Sequence, residues 1–532
     1  MRWTRGTRPR AGAPVPFWMI LPLVFAALLA THWSLLWLPY FWDEAGYYIP
    51  AAWDFFRTGS LIPQTTLTNA HPPLPSVYLA LTWKLFGFCP LVTRVATLLA
   101  ASVALTAVWR LGERLVGVPA VAFWTMTLTA IYPVFFAQSS LAHADIFAAA
   151  FTLWGIVFAL PGREGAPDSA SSPWIAALCF AAAALAKETA IVVPITLGAA
   201  SLLEGMWGSR SLRWAKIRET GWMAASLLPL IGWYAWHKHK TGFLFGNPEF
   251  LRYNAQANLE PLRFLAALGH RVLHLSLHMN LFVPVLLALA ALLLPLQSDG
   301  KKGERAQIGA SARMRIWCLL AANALFFSVL GGALLTRYLL PMFPLVLLLA
   351  VTSLQRHVKY WQGLAALSAA AFAVGLFVNP PYGFAPEDNL AYAHLVRLQQ
   401  AGIAELNAHY LGTTVLSAWP LTDALTRPEL GYLKEPYEVY AIDDFSAPQI
   451  ARAAEEPDKY TMALVFSTKY DPQSPLFTLG AKSKAMDEKY FGLHRDLPPE
   501  AIARQLGGTM VWKKVDQGQW IALIRFRHLQ FG

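Results

Sequence analysis

Between residues 17 and 378 the chain is a succession of long apolar runs separated by short, mostly basic segments. A helix that crosses the hydrocarbon layer needs about 20 predominantly apolar residues. A backbone in lipid can satisfy its polar groups only as a helix or a closed barrel. The runs therefore predict a polytopic α-helical membrane protein. Expected spans are 17–38, 92–109, 119–138, 144–160, 174–187, 189–203, 221–237, 278–296, 316–335, 339–354 and 361–378, about eleven in all. The stretch 74–86 falls short of that length and is read as an interfacial helix anchored by Tyr78 and Trp83. Of the 532 residues 56% are hydrophobic and only 14% charged, an apolar excess that one water-soluble core could not hide.

The character of the sequence changes at Asn379, Pro380 and Pro381. Two domains are expected: a transmembrane part, 1–379, and a soluble α/β part, 380–532. Within the first, residues 39–91 form a long external loop with interfacial helices. In the second, 388–407 reads as a helix with an apolar stripe through Leu390, Leu395, Leu398 and Ile403. Thr414–Trp419, Met462–Phe466, Met510–Val515 and Ile521–Phe526 read as strands, the last two joined by the turn Asp516-Gln517-Gly518-Gln519.

The net charge of +11 does not indicate a nucleic-acid partner, because the basic residues recur in the segments between spans. Lys and Arg in such segments stay cytoplasmic. One side collects Arg2, Arg5, Arg8, Arg10, then Arg110, Arg114 and Arg163, then Arg210, Arg213, Lys216 and Arg218. The same side continues with Lys301, Lys302, Arg305, Arg313 and Arg315, then Arg356 and Lys359. The N-terminus is thus expected inside and residues 380–532 outside. The first apolar run is longer than the core of a cleavable signal peptide and is read as a retained span. Cys89, Cys179 and Cys318 have no paired spacing and read as small hydrophobes, not as a disulfide or metal framework.

Ionisable residues near a membrane are costly and usually functional. After the first span come Asp43 and Glu44, followed by Tyr47 and Tyr48. If 43–56 is one helix, Asp54 returns to the face of Asp43, with Tyr47 beside it. His71-Pro72-Pro73 makes a rigid entry to the interfacial helix. Asp145 opens a span, where the plain alternative is an N-cap. Lys187 and Arg337-Tyr338 stand at external span ends, where they either meet a phosphate or simply snorkel. His270, His274 and His278 share a helical face at a spacing that can hold zinc, but no Cys or Glu completes a site.

The ordered series Asp43-Glu44 with Tyr47 and Tyr48, His71-Pro72-Pro73-Leu74, Phe86-Gly87, Arg94, Leu111-Gly112-Glu113-Arg114 with Gly117, Asp145, Lys187-Glu188-Thr189 and Arg337-Tyr338-Leu339-Leu340-Pro341 resembles the GT-C superfamily of integral-membrane glycosyltransferases. The nearest likeness is to protein O-mannosyltransferases and bacterial aminoarabinose transferases. The resemblance covers 17–345 and implies an inverting glycosyltransferase. It would move a sugar from a polyprenyl-phosphate donor to an acceptor hydroxyl on a glycolipid, polysaccharide or protein at the external face of a bacterial inner membrane. By position it makes Asp43, with Glu44 beside it, and Asp145 the catalytic acids, Asp43 as general base. Lys187 and Arg337 fall where cations hold the donor phosphate. Tyr47, Tyr48, Asp54, His71 and Tyr338 are candidates for the substrate pocket. Some relatives use a divalent metal and others none; no residue set here requires one. The competing class is a transporter or lipid flippase. Against it, no internal repeat is found, and the charged motifs gather at one face instead of mid-depth.

Overall fold

The computed structural model describes residues 16–66, 70–163, 170–207, 209–245, 260–298, 304–330, 334–470, 488–491 and 496–526. The N-terminal arginines, Lys301 and Lys302 lie outside the described residues. The chain is mostly helical with one small sheet near its C-terminus. Helices α1 (Phe17–Thr31), α2 (Ile49–Thr58), α3 (Leu74–Phe86), α4 (Pro90–Leu115), α5 (Pro119–Ile131), α6 (Pro133–Ser140), α7 (Ala144–Ala159), α8 (Pro173–Ala186) and α9 (Val192–Met206) come first. They are followed by α10 (Arg210–Ala225), α11 (Leu228–Thr241), α12 (Pro261–Ser276), α13 (Phe282–Ala291), α14 (Ala310–Val329), α15 (Phe343–His357) and α16 (Trp361–Phe377). Many begin on proline, whose fixed φ suits a first helical turn and whose missing N–H costs nothing there.

Among the described residues, three helices are long and apolar enough to cross a membrane: Pro90–Leu115, Glu188–Met206 and Ala310–Val329. Two bent pairs raise the number to five if each is one span: Pro119–Ile131 with Pro133–Ser140, bent by 68°, and Pro261–Asn280 with Phe282–Ala291, bent by 98°. Trp18–Thr31, Ala144–Ala159, Pro173–Ala186 and Trp361–Phe377 are apolar but shorter. Nine of the eleven expected spans overlap these apolar helices, and 221–237 and 339–354 do not. The segment 221–237 is not one helix: it straddles the break between α10 and α11, where Pro229 in the first turn of α11 withholds an N–H.

Two further expectations change. Trp83 is not an interfacial anchor: it is buried, and its indole N–H donates to the Thr93 hydroxyl at 2.9 Å. Tyr78 donates to the Ala96 carbonyl at 2.9 Å. The basic segment 210–218 is not a loop but the start of α10. There Lys216 meets Glu204 at 2.7 Å, and buried Arg315 of α14 meets Glu219 at 2.6 Å and Glu204 at 2.9 Å. The acids on facing helices give these cations partners, and the helix continues through them.

The C-terminal part holds α17 (Ala391–His409), α18 (Leu421–Thr426), α19 (Ala447–Ala454) and α20 (Pro499–Gln505) with strands β1 (Val415–Ala418), β2 (Val439–Ile442), β3 (Met462–Phe466), β4 (Thr509–Asp516) and β5 (Gln519–Arg525). The sheet order is β2-β1-β3-β5-β4. β1 runs parallel to both β2 and β3, and β3–β5 and β4–β5 are antiparallel. Gln517 and Gly518 both have positive φ, the geometry of a tight hairpin turn. The expected helix and four strands are present; β2 is additional.

The composition boundary at 380 is crossed by packing. Tyr392, Leu395 and Val396 share an apolar cluster with Leu35, Phe41, Phe136 and Leu376. Trp419, after β1, stacks edge-on against Trp42 at 5.4 Å. A Cβ on Gly46 would sit 2.6 Å from the Trp419 indole, so only glycine admits that contact.

Candidate active site

The segment after α1 turns sharply at Trp42, which has φ 47, and enters a π-helical turn, Glu44–Tyr48, before α2. Asp43 and Glu44 are adjacent but serve different arginines. Glu44 is fully buried: it accepts from Arg94 at 2.5 Å, from the Ala142 amide at 2.5 Å and from the Phe41 amide at 2.9 Å. Arg94 also donates to the carbonyls of Ser140 at 2.7 Å and Pro39 at 2.9 Å. Both oxygens of the Glu44 carboxylate are engaged, so Glu44 is held as a buried clamp apart from the Asp43–Arg337 pair. It locks the 39–44 segment onto the α6–α7 turn.

Asp54 is held apart as well. The π-turn shifts the helical register, and Asp54 is not directed to Asp43. Its carboxylate accepts from the Gln64 amide at 2.7 Å and from the Thr65 amide at 2.9 Å, fastening the loop after α2.

The cluster centres on Arg337, in the 3₁₀ turn Thr336–Leu339 between α14 and α15. Its guanidinium is buried and faces three carboxylates. One terminal nitrogen pairs with Asp43, the other with Glu387 at 2.5 Å, and Nε lies 3.4 Å from Asp145. His143 Nδ1 is 3.2 Å from the nitrogen that holds Glu387. Asp145 lies in the first turn of α7 but makes no capping bond; it accepts from Lys187 at 2.6 Å. The Lys187 ammonium also lies 4.2 Å from the centre of the Tyr338 ring.

Sequence reasoning thus named Asp43, Asp145, Lys187, Arg337 and Tyr338, and the fold brings all five together. Tyr47, Tyr48 and His71 gather beside them: His71 is 5.3 Å from Tyr47 and 6.0 Å from Tyr48 between ring centres, and Tyr48 is 5.9 Å from His143. His71 also meets Glu188 at 3.0 Å, next to Lys187.

Three residues were missed. Glu387 and Asp388 come from the short helix Pro386–Asp388, beyond the composition boundary. Asp388 accepts from Thr336 at 2.9 Å and meets His278 at 2.9 Å, so that histidine supports the Arg337 turn. His143 was passed over as a loop residue. The signals were an acidic pair directly after the proline boundary, and a histidine two residues before Asp145.

The electrostatics follow from crowding. Burial opposes the charge on Arg337, but Glu387, Asp43 and Asp145 outweigh it and hold the guanidinium firmly protonated. Burial pushes the Glu387 carboxyl up to about 8 against the pull of Arg337, with Asp43, Asp388 and Asp145 adding to the rise. Burial, then Arg337, Lys187 and Arg94, keep His143 neutral. Asp145 Oδ2, Arg337 Nε and His143 Nε2 are buried without a hydrogen-bond partner among the described residues. Such orphaned groups need an explanation. Asp145 and Arg337 border a small cavity together with Thr152, Lys187, Asn323, Phe327, Tyr338 and Pro341. Its polar end is this cluster, and its far wall is built by α7, α9 and α14.

Comparison with known proteins bears on this geometry. Residues 70–236 match the dolichyl-phosphate-mannose-protein mannosyltransferase family. Among solved structures, ArnT from Cupriavidus metallidurans bound to undecaprenyl phosphate is similar, with 15% identity and TM-score 0.53, covering 94% of this chain and 97% of that one. The apo form of the same ArnT matches at 14% identity and TM-score 0.52, with the same coverage. No match is found among curated protein sequences. The chain therefore resembles GT-C membrane glycosyltransferases, in fold along nearly its whole length and in sequence over 70–236.

Proposed function

We propose that this chain, a GT-C-like membrane protein, is an inverting glycosyltransferase that takes its sugar from a polyprenyl-phosphate donor at the external face of the membrane. One observation carries the reading: Lys187 and Arg337, two buried cations, are gathered with Asp43 and Asp145, and the cations and Asp145 border a small cavity walled by α7, α9 and α14. The head of an anionic lipid would meet these cations, and its apolar tail would lie along the neighbouring apolar helices. The ArnT structure of the same fold holds undecaprenyl phosphate, a molecule of that kind.

In this mechanism the donor is a sugar joined through its anomeric oxygen to a prenyl phosphate. The acceptor hydroxyl attacks the anomeric carbon from the face opposite the phosphate. A new carbon–oxygen bond forms, the bond to the phosphate oxygen breaks, and the configuration inverts. The hydroxyl proton passes to Asp43, acting as general base. The departing prenyl phosphate keeps the electron pair and gains one negative charge, which Lys187 and Arg337 stabilise. Arg337 offers a planar fork of donors suited to phosphate, and Lys187 adds a compact charge. Asp145 holds Lys187 in place, Glu387 and Asp388 fix the Arg337 turn from the C-terminal part, and Tyr47, Tyr48 and His71 line the approach. The acids do not suit a divalent cation as they stand, since Asp43, Asp145 and Glu387 already face Arg337.

In this reading the N-terminus lies in the cytoplasm and residues 380–532 outside, in a bacterial inner membrane. The sugar is a hexose or pentose, and the acceptor a glycolipid, polysaccharide or protein hydroxyl. The test is a purified sample given a panel of polyprenyl-phosphate sugars with each acceptor class. Release of prenyl phosphate with sugar transfer is expected, and Arg337→Ala should lower the rate by about 100- to 1,000-fold. No transfer from any donor, with facilitated lipid or solute movement instead, would select the transporter class.

A further inference from the structure

Both terminal nitrogens of Arg337 are engaged before any substrate arrives. Its terminal nitrogens hold Asp43 and Glu387, and its Nε faces Asp145. A phosphate that is to take the terminal nitrogens of this guanidinium must displace a carboxylate. The three acids differ in how they are held. The Asp145 side chain is 2% exposed and also grips Lys187 at 2.6 Å. The Glu387 side chain is 6% exposed and rides on a backbone fixed by Asp388. The Asp43 side chain is 29% exposed, and Arg337 is its sole partner among the described residues. Asp43 is therefore the ligand that can be displaced.

The backbone beneath it cannot follow. Glu44 is clamped by Arg94 and two amides, and the Phe41 amide belongs to the same clamp. Displacement is confined to rotation of one short side chain.

We propose that donor binding itself unmasks the base: the donor phosphate takes the place of Asp43 on Arg337, and only then is the Asp43 carboxylate free to receive the acceptor proton. This rests on the polyprenyl-phosphate reading given above. Phosphate and Asp43 thus compete for one guanidinium, and the binding order follows. Donor enters first, the base is released beside the anomeric carbon, and the acceptor comes second. While no donor is bound, Asp43 stays neutralised by Arg337.

The competition has a consequence that a plain base would not show. Removing the Asp43 charge should tighten binding of the phosphate while abolishing transfer. The probe is a polyprenyl phosphate without sugar, titrated into detergent-purified protein. Asp43→Asn should bind it about tenfold more tightly than the parent, the factor expected if Asp43 occupies Arg337 for all but about a tenth of the time. Asp43→Ala is the second variant, in case the amide retains a hydrogen bond to Arg337; it should show the same gain. Arg337→Ala should lose the gain in both backgrounds. Equal affinity in parent and both Asp43 variants, or weaker binding in the variants, overturns the exchange and leaves the donor class intact. Absence of binding to parent and variants alike overturns the donor reading, and the exchange with it.

Discussion

Glu44 and Asp43 are neighbours with opposite tasks, and the difference is one of enclosure. Glu44 has a complete set of donors around it, so breaking its pair with Arg94 leaves a buried charge without compensation. Arg94→Ala should destabilise the fold by about 3–5 kcal/mol, read as a large drop in thermal stability in detergent; a change near zero would remove the clamp from the account. Asp43→Asn should instead leave insertion and stability intact while lowering transfer by about 100- to 10,000-fold. Glu387 adds a pH signature. Its carboxyl is raised, so the folded state keeps a proton that the unfolded chain has already lost above the ordinary carboxyl range. Its contribution is fully present at lower pH and fades as pH rises toward about 8. Glu387→Gln, which mimics the protonated form, should flatten thermal stability between pH 5 and 8 relative to the parent. Sequence reasoning found Asp43, Asp145, Lys187 and Arg337 because charges at span ends stand out against apolar surroundings. It did not find Glu387, whose partner is 50 residues away with nothing local to mark the pairing. It misplaced Asp54 because the face argument assumed an unbroken helix, whereas a π-turn intervenes.

At the scale of elements, helix existence was legible from apolar runs and helix breaks were not. Pro133 marks one bend, but the 98° bend after Pro261–Asn280 falls at Met279 and Asn280, both with positive φ and neither a glycine. The C-terminal hairpin was readable because Gln517-Gly518 carries turn chemistry between two β-rich runs. The element that joins the two halves is the π-turn, where Gly46 admits the Trp419 indole. Gly46→Val should push Trp419 away and disturb Asp43 three residues earlier. Transfer should fall by at least about tenfold, as a misplaced reacting group costs, and the Trp fluorescence maximum should shift to the red. Unchanged fluorescence and activity would show that this contact does not position the base.

For the whole molecule, the shift from apolar to mixed composition near residue 380 was plain in the sequence, but composition cannot show that the second part completes the first. Residues beyond the boundary supply Glu387 to Arg337, Asp388 to Thr336 and Trp419 to Gly46. Expressing 1–379 without the rest should therefore give an inserted but inactive protein with a destabilised Arg337 turn. Where a prenyl phosphate binds decides the proposed function. An experimental structure with a bound polyprenyl phosphate measures this directly. The expected density shows the phosphate within hydrogen-bond reach of both Lys187 and Arg337, the tail running along α7 and α14, and Asp43 turned off Arg337. A phosphate bound elsewhere, with Asp43 still on Arg337, would contradict the account.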